Sequence, residues 1–146
     1  MPLAEFFSLP TEDRRHETEI GGDELVLSVL LPPLPEGSRS AYVKAMDRKV
    51  WAFALVAVAA AIRLDGRRIA DARLVLGGVA PIPWRVSAAE QILLGAEVSA
   101  GLFARAAEMA LSGAEPLRHN AYKMALVNAL IQRALTTAMQ GAVTGG

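Results

Sequence analysis

The chain has 146 residues, of which 15 are basic and 15 acidic, so its formal net charge at pH 7 is zero. This length suits one domain with its own core, and 53% of the residues are hydrophobic. Neutral charge argues against nucleic-acid binding, which needs clustered Lys and Arg. The lack of cysteine excludes a disulfide framework, a thiolate nucleophile and an iron–sulfur cluster held by this chain.

Further classes of protein are disfavoured by individual stretches. His16 and His119 lie far apart in sequence, so no protein metal site is indicated. The start "MPLAEFFSLP" lacks the basic and apolar regions of a signal peptide, and we expect a cytoplasmic location. The apolar run at residues 50–62 is shorter than the ~20 residues that cross a bilayer, so no membrane segment is predicted.

Two strands are predicted before residue 50. "DELVLSVLLPP", residues 23–33, is rich in strand formers and ends in prolines, which cannot donate to a ladder. "SRSAYVKAM", residues 38–46, is predicted to form the next strand.

A long hairpin is predicted next, with residues 53–64 paired to residues 69–79 across the Asp65-Gly66 turn signal. A period of two puts bulky side chains on one face of the first arm and alanines on the other. The small face, made of Ala57, Ala59 and Ala61, would let a helix approach closely. On the second arm Ala70, Ala72, Leu74 and Leu76 should share one side. A helix remains an alternative for the first arm, because alanine is the best helix former.

The second half of the chain predicts a turn-rich exit and three helices. "GGVAPIPWRV" is dense in glycine and proline, and Trp84 and Arg85 are expected to pin the sheet to the first helix. That helix should begin at a capping box formed by Ser87 and Glu90 and end at Gly95.

"SAGLFARAAEMALSG" predicts the second helix, and its apolar stripe is expected to contain Leu102, Phe103, Ala106, Met109 and Ala110. The third helix, "AYKMALVNALIQRALTTAMQ", should be capped by Asn120 and anchored to the core by Tyr122 and Lys123.

The order of these elements predicts an α+β domain: an antiparallel sheet of three to four strands followed by three helices packed on one face. We assign residues 1–36 to a linker or strand, 37–140 to the domain and 141–146 to a frayed tail. No nucleophile elbow, phosphate loop or metal-ligand pair is present, and Asp65 and Asp71 do not form a credible acid–base pair. The residues alone therefore indicate a domain that is no catalyst by itself.

Three motifs point to a family. They are Tyr42-x-Lys44 followed by Arg48, the hairpin "DGRRIADAR", and the exit "GGVAPIPWR". Together with "EPLRHNAYKMALVNALIQRAL", they resemble the C-terminal domain of the FAD-binding subunit of molybdenum hydroxylases, the group of xanthine dehydrogenase and the carbon monoxide dehydrogenase flavoprotein. Residues 2–32 resemble the stretch that joins this domain to the flavin-binding part before it.

The resemblance implies FAD as the cofactor and electron transfer from a molybdopterin centre through [2Fe–2S] clusters on partner subunits to the flavin. The family's glycine-rich pyrophosphate loops have no counterpart in this sequence, so FAD should bind weakly or not at all to the chain alone. The partners implied are a flavin-binding domain, an iron–sulfur subunit and a molybdopterin subunit, and self-association of an uncovered interface is also open.

At single positions the resemblance implies little. Lys44 matches a lysine that approaches the flavin, where its charge would stabilise the reduced ring; an exposed strand lysine is the alternative. Arg48 is expected to pair with Asp47 or a partner subunit, and Ala52 stands where many relatives carry an acid or small polar residue. Two readings stay open: a domain of a multi-subunit oxidoreductase, and a free-standing assembly module with the same fold and no flavin.

Overall fold

The computed structural model describes residues 1–48 and 50–141. It contains four helices and four strands in this part of the chain: α1 Leu3–Phe6, β1 Ser38–Ala45, β2 Val56–Asp65, β3 Arg68–Gly77, β4 Trp84–Arg85, α2 Ser87–Leu93, α3 Ala100–Ala110 and α4 Tyr122–Gln140. The tail predicted at residues 141–146 lies outside the described residues beyond Gly141.

The four strands form one antiparallel sheet in the order β1-β2-β3-β4, so each strand pairs with its neighbour in sequence. The α+β prediction and the hairpin are confirmed, and the helix alternative for the first arm is wrong. The hairpin arms are shorter than predicted, because β2 begins at Val56 and β3 ends at Gly77.

The hairpin turn and a bulge beside it set which side chains face the core. Asp65 pairs with Arg68, which leaves Gly66 as the first residue of a two-residue loop, with φ +58°. The register then shifts by one residue, so Ala70 has no partner on β2. Ile69, not Ala70, is therefore buried, and the backbone groups of Ile69 bond to residues 95 and 96.

The core lies between the inner face of the sheet and helices α2 to α4. Helix α4 packs on β1 and β2, α2 packs on β3, and α3 lies against both helices. Val56, Val58 and Ile62 of β2 are fully buried under α4 residues such as Ile131 and Leu135. The helices thus cover the bulky face of β2. The prediction that a helix approaches the alanine face is wrong, because the bulky face buries more apolar area.

The helices correct three sequence predictions, two about how a helix is capped and one about which side chains it buries. Ser87 is already inside α2 and makes no capping bond, because the Glu90 N–H donates to the Val86 carbonyl and the Glu90 carboxylate accepts from the Leu74 N–H. Asn120 makes no capping bond to α4, since its Oδ1 accepts from the Leu117 N–H. Met109 is exposed on α3, where Ala107 takes the buried place.

Residues 23–33 form no strand, which corrects the prediction for "DELVLSVLLPP". Six large apolar side chains in this segment are more than half exposed: Leu25, Val26, Leu27, Val29, Leu30 and Leu31. A strand needs a partner for its backbone groups, and none of the four strands lies beside this segment. The fourth strand is instead the short β4, inside the stretch predicted as a turn-rich exit.

Candidate functional site

One face of the sheet carries no helix among the described elements, and we call it the outer face. The strand register places the following residues on it: Ser38, Ser40, Tyr42, Lys44, Ala57, Ala59, Ala61, Arg63, Asp71, Arg73, Val75, Gly77 and Arg85. Its middle is flat, because β2 contributes only alanines between Ala57 and Ala61. Cations outnumber acids on this face, with Asp71 as its acid.

Lys44 lies at the end of β1 on the outer face, paired in register with Ala57. Its side chain is exposed, and its Nζ is 3.5 Å from the Ala52 carbonyl, at the outer limit of a hydrogen bond. An ammonium has three donors. Lys44 can therefore still donate to a group that approaches the outer face.

We call the described residues between β1 and β2, 46–48 and 50–55, the β1–β2 loop, and its Ala52 carbonyl lies near Lys44. Its base is closed by a bond from the Leu55 N–H to the Ala45 carbonyl, 2.9 Å long. Arg48 Nη2 donates to the Trp51 carbonyl, so Arg48 holds the loop rather than forming the predicted ion pair with Asp47. Both basic residues matched by the resemblance thus contact neighbouring loop carbonyls.

Two aromatic rings of this loop are almost entirely exposed: Trp51 at 94% and Phe53 at 99%. Trp51 also has φ +55°, a left-handed conformation that costs an L-residue about 1–2 kcal/mol. Sequence reasoning placed Phe53 in a strand and missed this surface. The signal that could have found it is the unbroken run Val50-Trp51-Ala52-Phe53 directly after a charged turn.

Residues 80–83 border the same end of this face as Lys44, because Lys44 and Gly77 both pair with Ala57. With Tyr42, Ala57 and Ala59 they line an open cleft of ≈ 300 Å³. A second cleft of ≈ 230 Å³ opens on the inner side, where Trp84 meets the end of α3 and the start of α4. Neither cleft encloses a ligand-sized space with converging polar groups.

The expected anchors are partly confirmed. Arg85 donates to both carboxylate oxygens of Glu90, at 2.9 to 3.2 Å, and so ties β4 to α2. That carboxylate raises the pKa of Arg85 above its ordinary value, chiefly through the hydrogen bonds. Lys123 Nζ donates to the Gly78 carbonyl at 2.7 Å and anchors α4, whereas Tyr122 is exposed and anchors nothing.

The residues of the outer face listed above form no catalytic constellation. Asp71 lies 3.8 Å from Arg73 in an ion pair on the face, while Asp65 sits at the hairpin turn. In residues 1–48 and 50–141, no three His, Asp or Glu side chains are grouped as they would be to hold a metal ion. No helix in that part of the chain is long and apolar enough to cross a membrane.

Comparison with known proteins matches residues 41–138 to the CO dehydrogenase flavoprotein C-terminal domain. The aldehyde oxidoreductase FAD-binding subunit PaoB of Escherichia coli K12 is 39% identical over 138 residues, which is 93% of this chain and 39% of that subunit.

Two solved structures share the fold. Carbon monoxide dehydrogenase from Hydrogenophaga pseudoflava superposes with a TM-score of 0.70 at 30% identity, over 77% of this chain and 40% of that chain. Quinoline 2-oxidoreductase from Pseudomonas putida 86 gives 0.67 at 32% identity, over 75% and 39%. The chain thus spans about two fifths of the length of the proteins it matches.

Proposed function

Since this chain belongs to the CO dehydrogenase flavoprotein C-terminal domain family, we propose that it forms one wall of an FAD site in a multi-subunit oxidoreductase of the molybdenum hydroxylase type. The observation that carries the proposal is the match with an FAD-binding subunit across 93% of this chain. The chain contributes a binding surface and subunit contacts, and no catalytic group of its own.

The outer face fits one side of a flavin. Lys44 offers unused donors beside a flat strip of alanines, and the neighbouring β1–β2 loop carries the exposed ring of Trp51. When bound, FAD supplies the chemistry that accepts and passes on electrons. Lys44 would place a positive charge near the flavin, which would favour its reduced form.

The diphosphate of FAD needs a different set of groups. Backbone N–H groups in a glycine-rich loop or at a helix N-terminus bind such anions. In the described residues, the outer face presents side-chain cations and strand backbone, and the paired glycines Gly77-Gly78 sit where a strand ends. The chain alone should therefore bind FAD weakly, and a flavin-binding part completes the site.

Residues 1–36 belong, on this proposal, to the junction with that flavin-binding part. The match with the E. coli subunit takes in 93% of the chain, so it includes the exposed segment at residues 25–31. The family model begins only at Ala41, after this segment. Its exposed leucines and valines are the apolar surface that a larger subunit would cover.

The remaining partners follow from the same premise. An iron–sulfur subunit and a molybdopterin subunit would deliver electrons to the flavin, and this chain holds no cysteine for a cluster of its own. The names of the relatives refer to aldehyde, carbon monoxide and quinoline chemistry. The same domain occurs with different substrates, so substrate choice belongs to the molybdenum subunit.

The test is a flavin titration with Lys44 as the variable. FAD fluorescence is followed while the chain is added, alone and with the part of the E. coli subunit outside the matched region. We expect tight binding only with both parts. Lys44→Ala should then lower the flavin reduction potential by about 30 mV, which corresponds to tenfold for a two-electron couple. Lys44→Arg keeps the charge and should restore most of the potential.

Two outcomes contradict the proposal. Tight stoichiometric binding of FAD by the chain alone would mean that the diphosphate site is already complete here. No binding in either arrangement would favour the second reading, an assembly module that uses this fold without flavin.

A further inference from the structure

We propose that the indole ring of Trp51 stacks on the isoalloxazine ring of the flavin, and that the β1–β2 loop is shaped to present it. The inference rests on the function proposed above and names a contact in the same site. Three observations support it. They are the backbone conformation of Trp51, the contacts that Arg48 and Lys44 make with the carbonyls of Trp51 and Ala52, and the exposure of the indole ring.

The backbone at Trp51 is costly for the residue that occupies it. A φ of +55° is freely adopted by glycine and tolerated by asparagine, but it is an outlier for a bulky side chain. A loop that needed only the turn would be more stable with glycine there. The strained conformation therefore indicates that the indole itself is used.

Two cations contact the loop backbone on either side of this conformation. Arg48, within the loop, donates to the Trp51 carbonyl, and Lys44 Nζ at the end of β1 lies 3.5 Å from the Ala52 carbonyl. The loop backbone that carries the indole therefore lies near the Lys44 ammonium.

The isoalloxazine ring of a flavin is the occupant that matches both features. Its three fused rings are planar and apolar over their faces, as is indole, and such rings stack with offset faces. The indole is 94% exposed, so a whole ring face is available. Lys44 and Arg48 would add positive charge near the ring, which carries negative charge when the flavin is reduced.

The test uses the full chain labelled with ¹⁵N, whose two tryptophans, Trp51 and Trp84, give two resolved indole signals. The probe is lumiflavin, which has the ring system without the diphosphate. We expect a saturable shift of the Trp51 indole signal, while Trp84, which lines the inner cleft, stays in place. Trp51→Ala should weaken lumiflavin binding about fivefold and Trp51→Phe less than twofold.

Phe53→Ala is the matched control, because Phe53 is equally exposed in the same loop. Its expected effect is less than twofold. Equal losses for the Trp51→Ala and Phe53→Ala variants would overturn the stacking inference in favour of a general apolar contact. An unmoved Trp51 indole with shifts at amides around Lys44 would overturn it and leave the proposed function standing. No shift at either place, with no FAD binding when the flavin-binding part is supplied, would overturn both.

Discussion

Glu90 shows how one buried carboxylate can replace part of a strand. The Leu74 carbonyl accepts from the Val86 N–H, as in an ordinary ladder, but the Leu74 N–H donates to Glu90 Oε1 at 2.8 Å. Glu90 is 5% exposed and also receives Arg85. The side chain thus extends the pairing of β3 past the point where β4 ends, and it fixes α2 on the sheet.

Replacing Glu90 should therefore destabilise the domain by a specific route. In Glu90→Ala the buried Leu74 N–H loses its acceptor, and we expect a cost of about 3 kcal/mol. Glu90→Gln keeps an acceptor and should cost about 1 kcal/mol. Urea unfolding measures both losses of stability.

Glu97→Ala is the control. Its ion pair with Arg67 is exposed on both sides and contributes at most about 1 kcal/mol. Equal losses of stability at positions 90 and 97 would contradict the role given to Glu90.

The same residue marks a limit of sequence reasoning. Ser87 and Glu90 have the spacing of a capping box, and the local pattern contains nothing against it. The competing acceptor role exists only because the fold brings an unpaired strand N–H to that carboxylate. The sequence pointed to Lys44 only through a motif, and its role stays a prediction. The shape of the neighbouring loop depends on contacts between side chains and backbone carbonyls, which the spacing of residue types does not reveal.

At the scale of elements, two glycines at the ends of β3 have different reasons to be glycine. Gly66 has φ +58° in open space, so only its backbone conformation favours glycine. Gly78 has φ +74°, and a Cβ there would lie 3.0 Å from the Leu55 carbonyl oxygen and 3.1 Å from that of Ala54. The chain before β2 passes so close to Gly78 that a methyl group has no room.

The two alanine variants should separate these effects. Gly66→Ala is expected to lower the free energy of unfolding by about 1 kcal/mol, because only the left-handed conformation disfavours alanine there. Gly78→Ala should cost about 3 kcal/mol, because the carbonyls of residues 54 and 55 must also move. Urea unfolding measures both losses of stability, as shifts of the midpoint with no change in the dependence of the unfolding free energy on urea. Equal losses for the two variants would disprove the steric contribution at Gly78.

The hairpin itself was predictable, since alternation over two arms and a turn signal agree with one another. The bulge at Ala70 could not be predicted, because the alternation of side chains from Ala70 to Leu76 contains no break at that position. What breaks the register is the binding of the Ile69 backbone to residues 95 and 96, a contact from a later part of the chain.

At the scale of the whole molecule, the described residues divide into a packed body and an unpacked segment. The core cluster and its partly buried neighbours come entirely from Ala41 onward. Residues 23–33 have the composition of a strand and remain exposed, because strand propensity acts only through a partner. Local sequence could predict the tendency of this segment to pair but could not supply the sheet it would join.

Deleting residues 1–36 is therefore expected to leave the melting temperature of the body within about 2 °C of the full chain, since no core contact is lost. The same deletion should reduce binding of a dye that reports exposed apolar surface. As a control, Leu27→Lys with Leu30→Lys in the full chain should lower dye binding similarly without changing the melting temperature. A drop of more than about 5 °C on deletion would show that the segment supports the body.

Helix α4 follows the whole sheet in sequence, and this order has a consequence for synthesis on the ribosome. The meander β1-β2-β3 pairs neighbours in sequence and can form early, but the helix that covers β1 and β2 ends only at Gln140. Until that helix has emerged, Val56, Val58 and Ile62 have no cover. A nascent chain of this domain would thus expose a finished but bare sheet face, and a stop codon inside α4 would leave that face permanently open to chaperones and proteases.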